Sequence, residues 1–122
     1  MESKTVPGAD EGPTRRVNPD DIARETAGAK KTVVLFEMTT CPYCRMFDER
    51  FEDFARRNSG GYDFLRVVLD NPDNPLWRKF DLRAVPTVIV FAEGRIDARL
   101  DSVLFLGITK KNWAEFTAGL QP

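Results

Sequence analysis

The chain is 122 residues long, enough for one domain with a real core but not for two. Its 18 basic and 19 acidic residues leave a formal charge of -1, and no segment gathers a basic stripe, which argues against a nucleic-acid partner. No apolar run approaches the roughly 18 residues of a membrane span, residues 1–12 lack a charged-then-apolar leader, and there is no histidine to serve as general base or metal ligand.

Residues 1–14 carry Pro7, Gly8, Gly12 and Pro13 among small and charged residues, and read as a flexible tail ahead of a domain over 15–122. Arg15, Arg16 and Val17 suit a short first strand. Asn18-Pro19-Asp20-Asp21 is a helix start, with asparagine as N-cap, proline at the first helical position and two carboxylates in the first turn. This helix is expected to run to Ala27 and stop at Gly28.

Residues 32–38, Thr-Val-Val-Leu-Phe-Glu-Met, are β-branched and apolar, as a buried strand requires. Residues 42–57 then show helical periodicity: Phe47, Phe51 and Phe54 share one face, and most of the charged residues lie opposite. Asn58-Ser59-Gly60-Gly61 ends that helix, and residues 62–70 form a second largely buried strand. Strand, helix and strand in sequence imply a parallel crossover. Asn74-Pro75 repeats the cap-plus-proline start for a short helix through Leu76, Trp77 and Phe80. Residues 88–91 are a strand, 92–95 a turn, and 96–100 its antiparallel return. Residues 101–107 fit either an extended edge or a loop. A last helix begins at Thr109, with Trp113, Phe116 and Leu120 on its apolar face.

Both cysteines, Cys41 and Cys44, sit where the first central strand gives way to the long helix. Pro42 as the first helical residue makes Cys41 the N-cap. There it meets the N–H groups of the first turn and the positive end of the helix dipole, which favour a thiolate. Cysteines so placed titrate at roughly 3.5–7.5 instead of about 8.5. Cys44 falls on the row of Phe47 and Phe51, so Cys41 is expected to be exposed and nucleophilic and Cys44 shielded. Cysteines only three positions apart add little loop-closure stability as a disulfide, so in the cytosol, the expected compartment, they point to redox or metal work. A four-ligand zinc site would need carboxylates or a second chain, and neither metal nor other cofactor is expected.

A C-x-x-C ending the first central strand, an X-Pro before a later strand, and a terminal hairpin and helix together resemble the thioredoxin family over residues 17–120. Cys41-Pro42-Tyr43-Cys44 looks like the active site of dithiol glutaredoxins. Asp70-Asn71-Pro72, Val85-Pro86-Thr87, Phe91-Ala92-Glu93-Gly94 and Leu106-Gly107-Ile108-Thr109-Lys110 look like thioredoxin proper. The resemblance implies an α/β thioredoxin fold, a mixed four- to five-stranded sheet with helices on both faces. It also implies a protein-disulfide reductase cycling between a Cys41–Cys44 disulfide and a dithiol, with Cys41 attacking and Cys44 resolving. Pro86 would be the family's cis-proline opposite the cysteines, and the backbone of Val85 would pair with an extended substrate. Thr40 and Pro42 would border the substrate surface, and Tyr43, on the first turn between the cysteines, either shapes that surface or is simply a partly exposed ring.

The sequence differs from the family's patterns at several places. Thr40 stands where thioredoxins have tryptophan, Leu35 where they have a buried acid, and Arg66 near that acid's lysine partner. Glu37, on the strand face of Leu35, is either a substitute proton relay or an exposed strand-end carboxylate. Arg45 either adds positive field at Cys41 or is a solvated charge. The glutathione-binding Thr-Val-Pro of glutaredoxins reads Ala84-Val85-Pro86 here, and their Gly-Gly-x-x-Asp segment is absent. The expected partners are protein disulfides and an electron donor, either a thioredoxin reductase or a low-molecular-weight thiol, with the chain acting as a monomer. The alternatives are a glutathione-linked glutaredoxin and a dimer sharing an iron–sulfur cluster through Cys41.

Overall fold

A computed structural model describes residues 12–122. Most of the expected tail, residues 1–11, lies outside the described residues. Thr14, at its end, is buried and hydrogen-bonded to the side chains of Glu52 and Arg66.

The elements follow in order as β1 (Arg15–Arg16), a 3-10 turn (Pro19–Asp21) running into α1 (Ile22–Glu25), β2 (Lys31–Glu37), α2 (Pro42–Asn58), β3 (Tyr62–Val68), α3 (Leu76–Lys79), β4 (Thr87–Ala92), β5 (Arg95–Leu100) and α4 (Lys110–Ala118). The five strands make one sheet in the order β1-β3-β2-β4-β5. The β1–β3 and β2–β3 pairs are parallel, whereas β4 is antiparallel to both β2 and β5. Continuous apolar runs in β2 and β4 follow from this arrangement, because central strands are covered on both faces.

Alternate residues of β2 enter two separate cores. Val33 and Leu35 pack with Phe47, Phe51 and Phe54 of α2 and Trp113 of α4. Val34 and Phe36 pack on the opposite side with Ile22, Leu65, Leu76 and Ile89. The first of these layers is aromatic: the Trp113 ring meets Phe47 edge-on at 4.8 Å and Phe54 at 5.5 Å.

Sequence and structure differ most at the first helix, which ends at Glu25 instead of Ala27. Asn18 does cap it, accepting from the Asp20 N–H, but the opening turn is 3-10. The Thr26 hydroxyl then donates to the Ile22 carbonyl at 2.8 Å, a local bond that competes with continuing the helix. Glu93 and Gly94, at φ +52° and +82°, form the hairpin turn, since a two-residue loop matching the strand twist needs positive φ at both positions. Residues 101–107 are a loop, closed by an isolated bridge between Val103 and Gly107.

Candidate active site

The site is built at the start of α2. Cys41 has extended backbone (φ -128°, ψ 104°), which makes it the N-cap, and Pro42 follows as the first helical residue. The Cys41 sulfur accepts the Cys44 backbone N–H at 3.1 Å, and the Cys41 carbonyl accepts the Arg45 N–H at 3.1 Å. Cys41 and Cys44 are joined as a disulfide, with Cα atoms 5.2 Å apart. That separation is within the range such bonds require.

The expected contrast in exposure is smaller than the sequence suggested. Cys44 is 2% exposed, on the inner row with Phe47 and Phe51, but Cys41 is only 8% exposed. Burial of Cys41 comes from the segment before β4, whose Val85 carbonyl oxygen lies 3.7 Å from its sulfur. The Val85–Pro86 peptide is cis, the isomer that the resemblance implies. Val85 and Pro86 are thus brought to Cys41 across 44 positions of sequence, as Thr40, Pro42 and Tyr43 are by chain adjacency. Thr40 and Pro42 are exposed, and Tyr43 is half-buried.

Asp70, at the end of β3, holds the loop that precedes Cys41. It accepts the Thr39 N–H at 2.8 Å and the Thr39 hydroxyl. These two bonds hold its carboxyl below the usual range.

Glu37 is not an exposed strand-end carboxylate. Its side chain is 12% exposed, and both of its oxygens accept from the Arg66 guanidinium at 3.1–3.2 Å. Arg66, itself 11% exposed, also pairs with Asp48 and Glu52 at 2.7 Å, and stacks 5.3 Å above the Phe51 ring. Burial pushes the Glu37 carboxyl up, because Arg66 shares its charge among three acids and Asp48 adds repulsion. The same acids hold Arg66 firmly cationic. Arg45, by contrast, is exposed.

Two features escaped sequence reasoning. One is this buried charge cluster, whose signal was an arginine inside an apolar strand with Asp48 and Glu52 one helical turn apart on α2. The other is the loop over Tyr43. The Tyr43 hydroxyl donates to the Phe105 carbonyl at 2.9 Å, and a Cβ at Gly107 would come within 3.0 Å of the Tyr43 ring. On the opposite side, the Ser102 hydroxyl donates to the Pro86 carbonyl.

Such a pair can exchange two electrons between a dithiol and a disulfide. Among the described residues, no group of three or more histidine, cysteine or acidic side chains is placed to hold a metal, and no helix is long and apolar enough to cross a membrane.

Comparison with known proteins agrees with this geometry. A model of the thioredoxin-like domain matches residues 19–103. A thioredoxin of Mycoplasmoides gallisepticum is 31% identical over 67 residues, which span 55% of this chain and 65% of that protein, just under two thirds of its length. Among solved structures, a Malassezia sympodialis thioredoxin superposes with a TM-score of 0.72 at 22% identity, covering 97% of both chains. Spinach chloroplast thioredoxin f, in its short form, gives 0.70 at 21% identity, again over 97% of both.

Proposed function

The chain belongs to the thioredoxin-like domain family, and on that premise we propose that it is a thiol–disulfide oxidoreductase that reduces disulfides in polypeptides. The observation that carries this reading is the hydrogen bond from the Cys44 amide to the sulfur of an N-capping Cys41. A donor aimed at that sulfur, at the positive end of a 17-residue helix, stabilises the thiolate more than the thiol.

The cycle starts from the Cys41–Cys44 dithiol. Cys41 thiolate attacks one sulfur of the substrate disulfide, forming a mixed disulfide and releasing the other sulfur as a thiolate that takes up a proton. Cys44, deprotonated, attacks the Cys41 sulfur and expels the second substrate thiol. The substrate gains two electrons and two protons, and the chain is left as the Cys41–Cys44 disulfide, which the 5.2 Å separation of their Cα atoms supports. Cys44 is deeply buried, so it meets the Cys41 sulfur but not an incoming disulfide. Val85 and Pro86 form the opposite wall, where an extended substrate segment pairs with the backbone of Val85.

A reductase protein or a low-molecular-weight thiol restores the dithiol. Ala84 in place of the glutaredoxin threonine, together with the thioredoxin-like domain match, supports a reductase over glutathione. A reducing compartment such as the cytosol belongs to the same reading, because there the pair is returned to its dithiol form.

Reduction of insulin by the pre-reduced chain tests the function. The wild type should precipitate the insulin B chain, and Cys41→Ser should not. Cys44→Ser should accumulate a covalent adduct with substrate, visible by non-reducing electrophoresis. An inactive wild type would sink the proposal, and an adduct trapped only in Cys41→Ser would reverse the two roles.

A further inference from the structure

Residues 103–106, Val-Leu-Phe-Leu, are the largest run of exposed apolar side chains among the described residues. Leu104, Phe105 and Leu106 are 75%, 79% and 58% exposed. Large apolar side chains clustered at one exposed place mark interaction surfaces more often than chance burial failures.

Phe105 stands at φ +67°, a left-handed conformation that disfavours a residue with a bulky side chain. Asparagine or glycine would make the same turn with less strain, and an exposed ring gains nothing there from packing. Folding therefore gives no reason for phenylalanine at this tip.

The loop is fixed to both walls of the candidate active site. Ser102 at its root is bonded to the carbonyl of Pro86, and the Phe105 carbonyl receives the hydroxyl of Tyr43, which lies between the two cysteines. The Val103–Gly107 bridge closes the tip, with Gly107 against the Tyr43 ring. Anything that covers Leu104 and Phe105 thus lies on the side of the site that Tyr43 and Pro86 form.

Resting on the disulfide-reductase reading above, we propose that Leu104 and Phe105 are specificity-determining residues that dock apolar side chains flanking a polypeptide disulfide. The occupant is an extended or unfolded chain, because it carries both a disulfide for Cys41 and, a few residues away, apolar side chains for the loop. A lipid surface offers no disulfide, and a small polar disulfide offers nothing for the loop to cover. An aromatic anchor beside the reacting pair is the type of contact that dominates recognition at interfaces.

The test uses the pre-reduced full chain and three disulfides, with each reaction quenched and resolved by mass. One is a short peptide whose disulfide is flanked by leucine and phenylalanine. The second is its twin with serine and glycine at those places, and the third is bis(2-hydroxyethyl) disulfide. The wild type should reduce the apolar peptide about tenfold faster than its twin, the factor expected for one buried anchor. In the double variant Leu104→Ser/Phe105→Asn, whose asparagine suits the left-handed turn, the two peptides should react alike while the small disulfide reacts at the wild-type rate. Equal peptide rates in the wild type, or a preference that survives in the variant, would overturn the proposal. Failure to reduce any of the three disulfides would instead remove the reductase reading, and this proposal with it. Sedimentation of wild type and variant covers the other occupant: a wild-type dimer that the variant dissolves assigns the loop to a second copy of the chain and overturns the docking role.

Discussion

The backbone N–H of Cys44 points at the sulfur of Cys41 from 3.1 Å, so the residue proposed to resolve the mixed disulfide also stabilises the nucleophile that forms it. The donor is main chain, and it survives any substitution of the Cys44 side chain. In the reduced protein, iodoacetamide should therefore modify Cys41 first, and do so at a pH where an ordinary cysteine, near about 8.5, hardly reacts. Peptide mapping of the singly alkylated chain checks this. Label found first on Cys44, or on neither below neutral pH, would contradict the assignment.

Arg66, on β3, ties β2, α2 and the segment before β1 together. Its guanidinium meets Glu37 on β2 and Asp48 and Glu52 on α2, and its Nε donates to the Thr14 hydroxyl just before β1. Removing it leaves the largely buried Glu37 without its ion-pair partner, with only the weaker field of Arg16 acting on it. Arg66→Met is expected to cost about 3 kcal/mol in urea unfolding, the usual penalty for breaking one side of a buried ion pair. Arg66→Lys should lose less but not recover the wild type, because a single ammonium cannot replace a planar fork that serves three carboxylates. A neutral result for Arg66→Met would mean that the cluster contributes nothing net.

Glu37 sets a pH dependence of definite sign. Burial raises its carboxyl above the ordinary 4.5, so the folded chain binds this proton more tightly than the unfolded chain. Its contribution to stability is fully present below the unfolded value and is lost as pH rises through the folded one. The stability of wild type relative to Glu37→Gln should therefore decline as pH rises above the ordinary carboxyl value of 4.5. Asp70 has the opposite sign: its carboxyl is held low by Thr39, so its contribution is present above 3.8 and lost on acidification. Urea titrations at several pH values separate the two, and a wild-type advantage over Glu37→Gln that grew with pH would refute the direction.

Gly107 is constrained twice. Its φ of +70° disfavours any L side chain, and a Cβ there would press on Tyr43 Cβ and Cδ1 at 3.0 Å. Gly107→Ala should cost about 1–2 kcal/mol from backbone strain alone. It should also shift Tyr43, so peptide-disulfide reduction should fall more than reduction of a small disulfide. Gly94, with comparable φ but open space around its Cβ position, is the control: Gly94→Ala should destabilise without touching reduction.

Much of this architecture was legible in local sequence. The alternating demand of a sheet covered on both faces is written in the apolar run of β2, and the N-cap role of Cys41 follows from the proline beside it. Thr109 and Asn18 likewise cap as their residue types predict. The first helix was overestimated because a threonine hydroxyl folds back onto its own turn, and propensity alone does not weigh that competition.

The order of elements and the position of the cysteine pair at a strand-to-helix junction follow from local sequence. Caps, turns and hydrophobic periodicity act over only a few residues, so these features need no knowledge of distant partners. The burial of Cys41, the pairing of Glu37 with Arg66 and the apolar loop beside Tyr43 arise instead from packing between distant segments. These features rest on pairs 29 to 62 positions apart, Glu37 with Arg66, Cys41 with Val85 and Tyr43 with Phe105. Such contacts form only once the sheet order has brought β2, β3 and β4 together around the start of α2.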